Sequence, residues 1–532
     1  MNVSEILRNL GSFFFYFSLV LVAPLFAALY FEYFAVHTVQ YPFSASLAFF
    51  QTLLITLVLS YLFTLFAKKK MTLYRRESIV LLIAIWVFAV CLSSLPFIFT
   101  KTLKPLDAFF ESMSGLTTTG STLFTPKAFD IATNQEMPIT LSSSEMPNIH
   151  YKYFGTIPIQ AVHPALLFWR SFLQWLGGMG IVVLFLTLLP ALGMGGKFLY
   201  QMESSGPIKD TIHPRIKETA SLLWKLYVGL TILQMVLLLL TNSEISFFDA
   251  MTLSFSTLST GGFSIHDTSV AFYKNPVTEW IVIVFMLLGS INFAFYFYLW
   301  QKNLKKFFTP DFFLFVFFIL VGSGLSAYFL TGTPNYQIAA SSSSYSISDA
   351  IRAGSFQAVS AQTTSGFFTA NYILWPFKVQ MILLILMFIG GMSGSTAGGI
   401  KTSRYYILYK VLLFRLESLF RPEAVRRLVI HGAEIDMKSA NSVLSFFCLV
   451  AFFSVIGALF FTIDGIDPAT STGLIASFIN NTGMGFDFAG PLNAINFLSP
   501  ISKIFAIFWM LLGRLEYFVV LLLFFPSFWR GK

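Results

Sequence analysis

Leu106-Asp-Ala-Phe-Phe-Glu-Ser-Met-Ser-Gly-Leu-Thr-Thr-Thr-Gly120-Ser121 and Phe248-Asp-Ala-Met-Thr-Leu-Ser-Phe-Ser-Thr-Leu-Ser-Thr-Gly-Gly262-Phe263 are two versions of one phrase. Each opens on Asp-Ala (Asp107, Asp249) and runs into a Thr/Gly cluster, with the last glycine 13 residues after the aspartate in both. A third version runs from Asp349-Ala350 to Thr363-Thr-Ser-Gly366-Phe, an offset of 17, and a fourth from Asp467-Pro-Ala to Asn481-Thr-Gly483-Met, an offset of 16. The longer offsets predict about one added helical turn. Four copies, with glycines 142, 104 and 117 residues apart, amount to an internal repeat.

Each copy reads as a short helix that enters a membrane without crossing it. The aspartate at its start accepts hydrogen bonds from free N–H groups and complements the positive helix end. About ten residues rise about 15 Å, half of a bilayer's hydrocarbon thickness. The chain then turns at glycine, which reaches backbone angles other residues resist, and returns extended. Non-helical backbone at this depth persists only where it is buried in protein or faces water. Four such strands around one axis would aim carbonyl oxygens at a narrow path and replace the water shell of a small cation, with the partly negative helix ends facing the same point. The plain alternative, four ordinary Ser/Thr/Gly loops, does not account for a similar aspartate at the head of every copy.

The rest of the chain suits this setting. Of 532 residues, 56% are hydrophobic, 18% aromatic and 11% charged, and mean hydropathy is +0.73. A soluble domain carries about 25% charged residues. The composition therefore excludes a soluble enzyme, a disordered chain and a nucleic-acid binder. Cys91 and Cys448 lie in apolar runs without partners at metal-ligand spacing, so disulfide and zinc readings are empty. The first apolar run is too long for a signal peptide.

Runs of about 20 apolar residues lie near 11–34, 44–67, 78–100, 165–193, 220–241, 276–301, 311–331, 376–410, 439–463 and 498–526, with that of 376–410 interrupted midway. Ten spans place both termini on one side. Basic clusters at Lys68, Lys69, Lys70, Arg75 and Arg76, at Lys209, Arg215, Lys217 and Lys225, at Lys302, Lys305 and Lys306, and at Arg421, Arg426 and Arg427 fall after even-numbered spans. These loops, and the termini with them, should be cytoplasmic. The four Thr/Gly segments lie on the opposite face.

Each span after a Thr/Gly segment carries central glycine: Gly177-Gly178, Gly289, Gly390-Gly391 and Gly513. The unit is helix, re-entrant loop, helix. The expected fold is an all-α polytopic membrane protein with four pseudo-symmetric repeats around a central pore. Residues 1–70 form an N-terminal helix pair, and the repeats occupy 71–200, 201–306, 307–432 and 433–532.

With these motifs in hand, the sequence resembles the Trk/Ktr/HKT superfamily of cation transporters, and most closely its TrkH-type potassium uptake subunits. The matching residues are the strands Thr118-Thr119-Gly120, Thr260-Gly261-Gly262, Thr364-Ser365-Gly366 and Asn481-Thr482-Gly483, the stretch Gly206-Pro207…Pro214-Arg215-Ile…Thr219-Ala220, and the extra N-terminal helix pair. The resemblance covers nearly the whole chain. It implies a potassium filter with one glycine per repeat, a homodimer with one pore per subunit, the bacterial inner membrane, and a cytoplasmic TrkA-like nucleotide-binding regulatory partner. Within the family, glycine at all four positions goes with potassium, and serine at the first goes with sodium. The segment of about 125–163 departs from the pattern as a Pro-, Ser- and Met-rich insert.

Span eight is interrupted by Gly390-Gly391-Met-Ser-Gly394-Ser-Thr-Ala-Gly398-Gly399-Ile400-Lys401. A phosphate-binding loop is excluded, because Ile400 separates the last glycine from Lys401 and the segment leaves a hydrophobic helix rather than a strand. The small residues instead specify a broken helix lining a cavity, with a packing kink as the plain alternative. By resemblance, this is the loop that obstructs the pore below the filter. Arg514, central in the last span, is costly in lipid and should face protein or water. Glu516 is two residues on and shares no helix face with it. By resemblance, Arg514 faces the pore; an ion pair with another span is the structural alternative. Glu111 is expected either to add negative potential or to bond within its loop, Arg352 to pair locally, and His266, Asp267 and Asp487 to be solvated loop charge or an outer cation-attracting vestibule. A sodium-permeant or ion-coupled member of the same group is the second functional reading. A membrane-embedded enzyme is the third, and it lacks any cluster of catalytic groups.

Overall fold

The computed structural model of the chain describes residues 3–34, 43–66, 74–124, 162–180, 216–300, 308–335, 344–420, 437–515 and 517–530, with a few isolated positions between them. Most of the 125–163 insert, the 206–215 part of the family-like stretch, residue 516, and most of the basic loop residues lie outside the described residues.

Helices α1 (Val3–Tyr33) and α2 (Ala45–Leu65) form the N-terminal pair. They approach closely at Gly11, whose carbonyl accepts from Ser60 Oγ at 2.7 Å. The first repeat holds α3 (Arg75–Phe99), the re-entrant α4 (Pro105–Leu116) and α5 (Pro164–Gly178). The second holds α6 (Ile216–Thr241), the re-entrant α7 (Phe247–Leu258), α8 (Pro276–Ser290) and α9 (Phe293–Trp300). The third has α10 (Pro310–Leu330), the re-entrant α11 (Ile347–Gln362), α12 (Phe377–Phe388) and α13 (Thr402–Phe420). The fourth has α14 (Met437–Ile463), the re-entrant α15 (Pro468–Asn480), α16 (Pro500–Leu515) and α17 (Tyr517–Leu521). Strand structure among the described residues is confined to two pairs of two-residue strands.

Six helices (α1, α2, α3, α6, α10 and α14) are long and apolar enough to cross a bilayer among the described residues. Their outward faces stay apolar and exposed, as at Phe50, Leu54, Val58 and Tyr61 on α2, which suits lipid as the solvent.

The spans after the Thr/Gly strands depart from expectation. Only 376–410 reads as interrupted in sequence, yet α5 ends at Gly178 with Met179 as its C-cap, α8 ends at Ser290 and α12 at Phe388. The central glycines let these helices pack closely. A methyl group on Gly177 would overlap the carbonyl of Leu116, one on Gly289 that of Leu258, and one on Gly513 that of Ile479. In three repeats, then, the helix after the strand is pressed against the C-terminal turn of its own re-entrant helix.

The role of the aspartates also needs correction. Asp467 is an N-cap, its Oδ2 accepting from Thr470 N at 2.8 Å. Asp107, Asp249 and Asp349 instead sit in the first turn, behind N-caps Lys104, Ser246 and Ser346. In the second and third repeats the serine Oγ accepts from the aspartate N–H, an N-cap bond, and donates to its carboxylate. The re-entrant helices contain 12, 12, 16 and 13 residues. The third offset therefore reflects an added turn, whereas the fourth reflects the aspartate's move to the cap.

Candidate cation pathway

The four strands leave their helices by one construction. Thr118, Thr260, Thr364 and Asn481 have φ of 55°, 53°, 56° and 52°, and Gly120, Gly262, Gly366 and Gly483 have φ of 82°, 79°, 79° and 73°. Between them the N–H of Thr119, Gly261, Ser365 and Thr482 reaches back to the carbonyl five residues earlier, at 2.9, 2.9, 2.9 and 3.0 Å. That bond closes a Schellman-type helix end. Two left-handed residues around one ordinary residue give each strand the same shape.

The strands meet in cyclic order. A methyl on Gly120 would strike the carbonyl oxygen of Gly261, and one on Gly262 that of Ser365. One on Gly366 would strike Thr482 O, and one on Gly483 would strike Thr119 O. Each glycine thus abuts the residue preceding the glycine of the next repeat, and the fourth closes on the first. All four glycines line one cavity of about 90 Å³, the outer one in the orientation expected from the basic loops. The C-termini of α4, α7, α11 and α15, with their partial negative charge, end beside this ring.

Below lies a second cavity of about 100 Å³, lined by Gly178, Gly394, Gly398, Gly399, Lys401, Asn480 and Arg514 among others. Its roof is the loop between α12 and α13. Gly390 N donates to Ile400 O at 3.0 Å, and Thr402 N to Gly391 O at 3.1 Å. The loop then reaches three repeats. Met392 N bonds Ser290 O and Thr396 N bonds Gly289 O, at 3.0 and 3.1 Å, while Phe293 N bonds Gly394 O at 3.1 Å. Gly398 N donates to Thr364 Oγ1 at 2.6 Å, and Gly399 N to Asn480 O at 2.9 Å. Backbone groups left open where α8 and α15 end are thereby satisfied inside the membrane, as such depth requires. Lys401 Nζ donates to Ala397 O.

Arg514 completes this layer. Its Nη1 donates to Thr396 O at 3.0 Å and Thr118 Oγ1 at 3.2 Å, and its Nη2 donates to Gly178 O at 2.9 Å and to Gly177 O. One guanidinium joins the fourth repeat to the first repeat's strand and α5 and to the third repeat's loop. These bonds to neutral oxygens hold it in place, beside the inner cavity.

The other charged candidates divide. Glu111 is a brace: it pairs with Arg170 Nε at 2.8 Å with both side chains buried, and it accepts from Thr122 Oγ1 and Leu123 N at 2.9 and 3.0 Å. Such a pair is costly to split, by about 3–5 kcal/mol, because the remaining charge stays buried. Arg352 pairs locally with Asp349 at 2.9 Å and also reaches Glu279 of the second repeat at 3.1 Å. His266 is not a solvated charge; it lies 2.7 Å from Asp249 and stacks on Phe272. His266 and Asp267 line the outer cavity, while Asp487 is not among its lining residues. Burial pushes the Asp267 carboxyl from 3.8 up to about 7, against the smaller opposing pull of the Ile159 backbone and the Arg170 charge.

Sequence reasoning missed Gln174. Its Nε2 donates to Gly261 O at 2.6 Å and its Oε1 accepts from Phe263 N at 3.0 Å, so it brackets the second strand from the first repeat. The signal was available: Arg170 and Gln174 are polar residues in an apolar span, and such residues face the interior.

Four half-helices whose strands converge inside a bundle of membrane-crossing helices define the class, a four-repeat integral membrane transport protein. The chain matches the TrkH cation transport protein family over residues 156–530. It is 34% identical over 497 residues to the Trk system potassium uptake protein TrkH of Escherichia coli (strain K12), covering 91% of this chain and 93% of that one. It is 33% identical to the protein of the same name from Halomonas elongata, with 100% of both chains covered. The crystal structure of the potassium transporter TrkH from Vibrio parahaemolyticus matches over 100% of both chains, with a TM-score of 0.79 and 30% identity. The chain belongs to the TrkH family, whose members are transporters and not enzymes.

Proposed function

We propose that the protein takes up potassium ions across the bacterial inner membrane, through a filter formed by Thr118–Gly120, Thr260–Gly262, Thr364–Gly366 and Asn481–Gly483. The cyclic contact of each filter glycine with the next strand's carbonyl carries this reading. Backbone oxygens fixed around one axis substitute for the water a cation sheds, and the four helix ends add favourable potential. The loop of residues 389–401, with Gly390, Gly391, Gly394, Gly398 and Gly399, and Arg514 together form the gate. They bring a positive charge and a backbone plug beneath the ring, and a cation leaving the filter inward requires both to move. Both termini are cytoplasmic, the assembly is a homodimer, and a cytoplasmic TrkA-like nucleotide-binding protein moves the gate. The kinship with proteins named as parts of a Trk system supports these assignments.

The test is growth of a potassium-transport-deficient bacterium on limiting potassium, with this chain expressed alone and with a candidate partner. Growth is expected with the pair. No growth with any nucleotide-binding partner, from protein that reaches the membrane, would refute the assignment.

Asp267 adds an expected pH dependence. Its folded pKa, about 7, lies above the ordinary 3.8. The group is therefore neutral in the folded protein below about pH 7 and opposes folding increasingly as pH rises from about 4 to about 7. Above pH 7 it is a carboxylate in the outer cavity and attracts cations. Uptake at sub-saturating potassium should fall as external pH drops through about 7. Asp267→Asn should flatten that fall, and an unaltered profile in the variant would rule this role out.

A further inference from the structure

Ser114, Ser256, Ser360 and Ser477 each stand six residues before the glycine of their repeat, and all four are buried in the re-entrant helices behind the strands. Their backbones act alike, each carbonyl accepting the N–H of the residue before the glycine. Their side chains do not. Ser114 Oγ donates to Ser121 O at 2.6 Å, and Ser360 Oγ donates to Phe367 O at 2.7 Å. In both cases the acceptor is the carbonyl one residue past the glycine. The hydroxyls of Ser256 and Ser477 reach no partner among the described residues.

A second feature divides the repeats the same way. Thr117 and Thr119 pair their hydroxyls at 2.8 Å in the first repeat, as Thr363 and Ser365 do in the third. The second and fourth have Ser259 with Gly261 and Asn480 with Thr482 at those positions, without such a pair. Their strands are held by neighbours instead. Gln174 brackets the second, and Asn481 Nδ2 of the fourth donates to Thr119 Oγ1 and Met510 O, both at 2.9 Å.

A carbonyl that accepts from a hydroxyl behind it is turned toward its own helix and withdrawn from the axis. We propose that Ser114 and Ser360 are positioning residues that pin the outer rim of the filter in the first and third repeats. The outermost ion site then has two-fold symmetry and relies on the second and fourth strands, whose rims no serine hydroxyl pins. This inference rests on the filter reading above and deepens it. Losing the Ser114 hydroxyl frees the Ser121 carbonyl to swing inward, and losing that of Ser360 leaves the Phe367 carbonyl only the longer bond from Gln357 Nε2 at 3.3 Å; either alters the cage that separates potassium from sodium.

The experiment measures initial uptake of potassium and sodium by cells expressing each variant and takes the ratio, which does not depend on the amount of protein. Ser114→Ala and Ser360→Ala should each change the ratio about three- to tenfold, the effect expected of one neutral hydrogen bond. Ser256→Ala and Ser477→Ala should change it less than about twofold. Ser114→Thr and Ser360→Thr, which keep the hydroxyl, should restore the original ratio. Should an alanine variant fail to reach the membrane, the cysteine variant, similar in volume and a weak donor, carries the same expectation. Equal effects at all four serines, or none, would overturn the proposal. Gly366→Ser in the same assay separates the failures: if it shifts the ratio while the serines do not, the filter stands and the clamp falls. If it and the serine changes at Gly120, Gly262 and Gly483 all leave the ratio unchanged, the filter reading itself fails.

Discussion

Replacing Gly366 with serine is expected to lower discrimination of potassium over sodium by about tenfold or more, without preventing membrane insertion. The backbone at Gly366 has φ of 79°, where an L-residue pays about 1–2 kcal/mol, and each 1.4 kcal/mol is a tenfold change in an equilibrium. The new Cβ would also overlap Thr482 O of the adjacent strand. Strand three or strand four must yield, and a ring widened at one joint holds a larger hydrated cation as readily as a bare one. Because the contact recurs at Gly120, Gly262 and Gly483, the same change should act in the same direction at each. Uptake ratios of the four variants in potassium-transport-deficient cells provide the measurement; four unchanged ratios are incompatible with a filter there.

The second large effect is expected from shortening the loop of Gly391–Ala397, which should raise basal flux on the order of tenfold or more. The segment is held by Met392 and Thr396 N–H bonds to Ser290 and Gly289, by Thr396 Oγ1 on Leu258 O at 3.0 Å, and by Arg514 on Thr396 O. Each neutral bond contributes about 1 kcal/mol net, so losing two or three shifts a closed–open balance by that order. Removing the segment also removes one of the acceptors that hold Arg514 below the ring. Tracer influx into cells expressing the chain alone, normalised to membrane-inserted protein, is the readout. A basal rate equal to that of the parent would locate the gate elsewhere.

Much of this architecture was legible beforehand because a re-entrant hairpin is a local object. Its helix start, its left-handed pair of residues and its glycine all lie within about five helical turns, so composition marks each copy. The places where the reading slipped have identifiable causes. The fourth aspartate occupies the cap while the other three sit a turn inward, and an offset between residue types does not record which helix position each takes. The helix ends at Gly178 and Ser290 were hidden because glycine within an apolar run also serves close packing. Only the density of small residues from Gly390 to Gly399 exposed the third break.

Partners were the larger omission. The local bond expected of Glu111 is present, to Thr122 and Leu123, but its counter-ion Arg170 lies 59 residues away and is invisible to local spacing. Gln174 reaches a carbonyl 87 residues on. The four serines were in plain view at a constant offset, but identical spacing conceals that two hydroxyls bond and two do not.

The amino-acid order by itself determined that the chain lives in a bilayer, that it contains four half-crossing hairpins, and that each turns at a glycine, since hydropathy and backbone preference act over a few residues. Only the tertiary structure decided which strand neighbours which, where the interrupted helix of the third repeat docks, and what Arg514 holds. Those outcomes depend on satisfying buried polar groups across segments as distant as Thr119 and Asn481, 362 residues apart, and such groups find their partners only once the helices have packed.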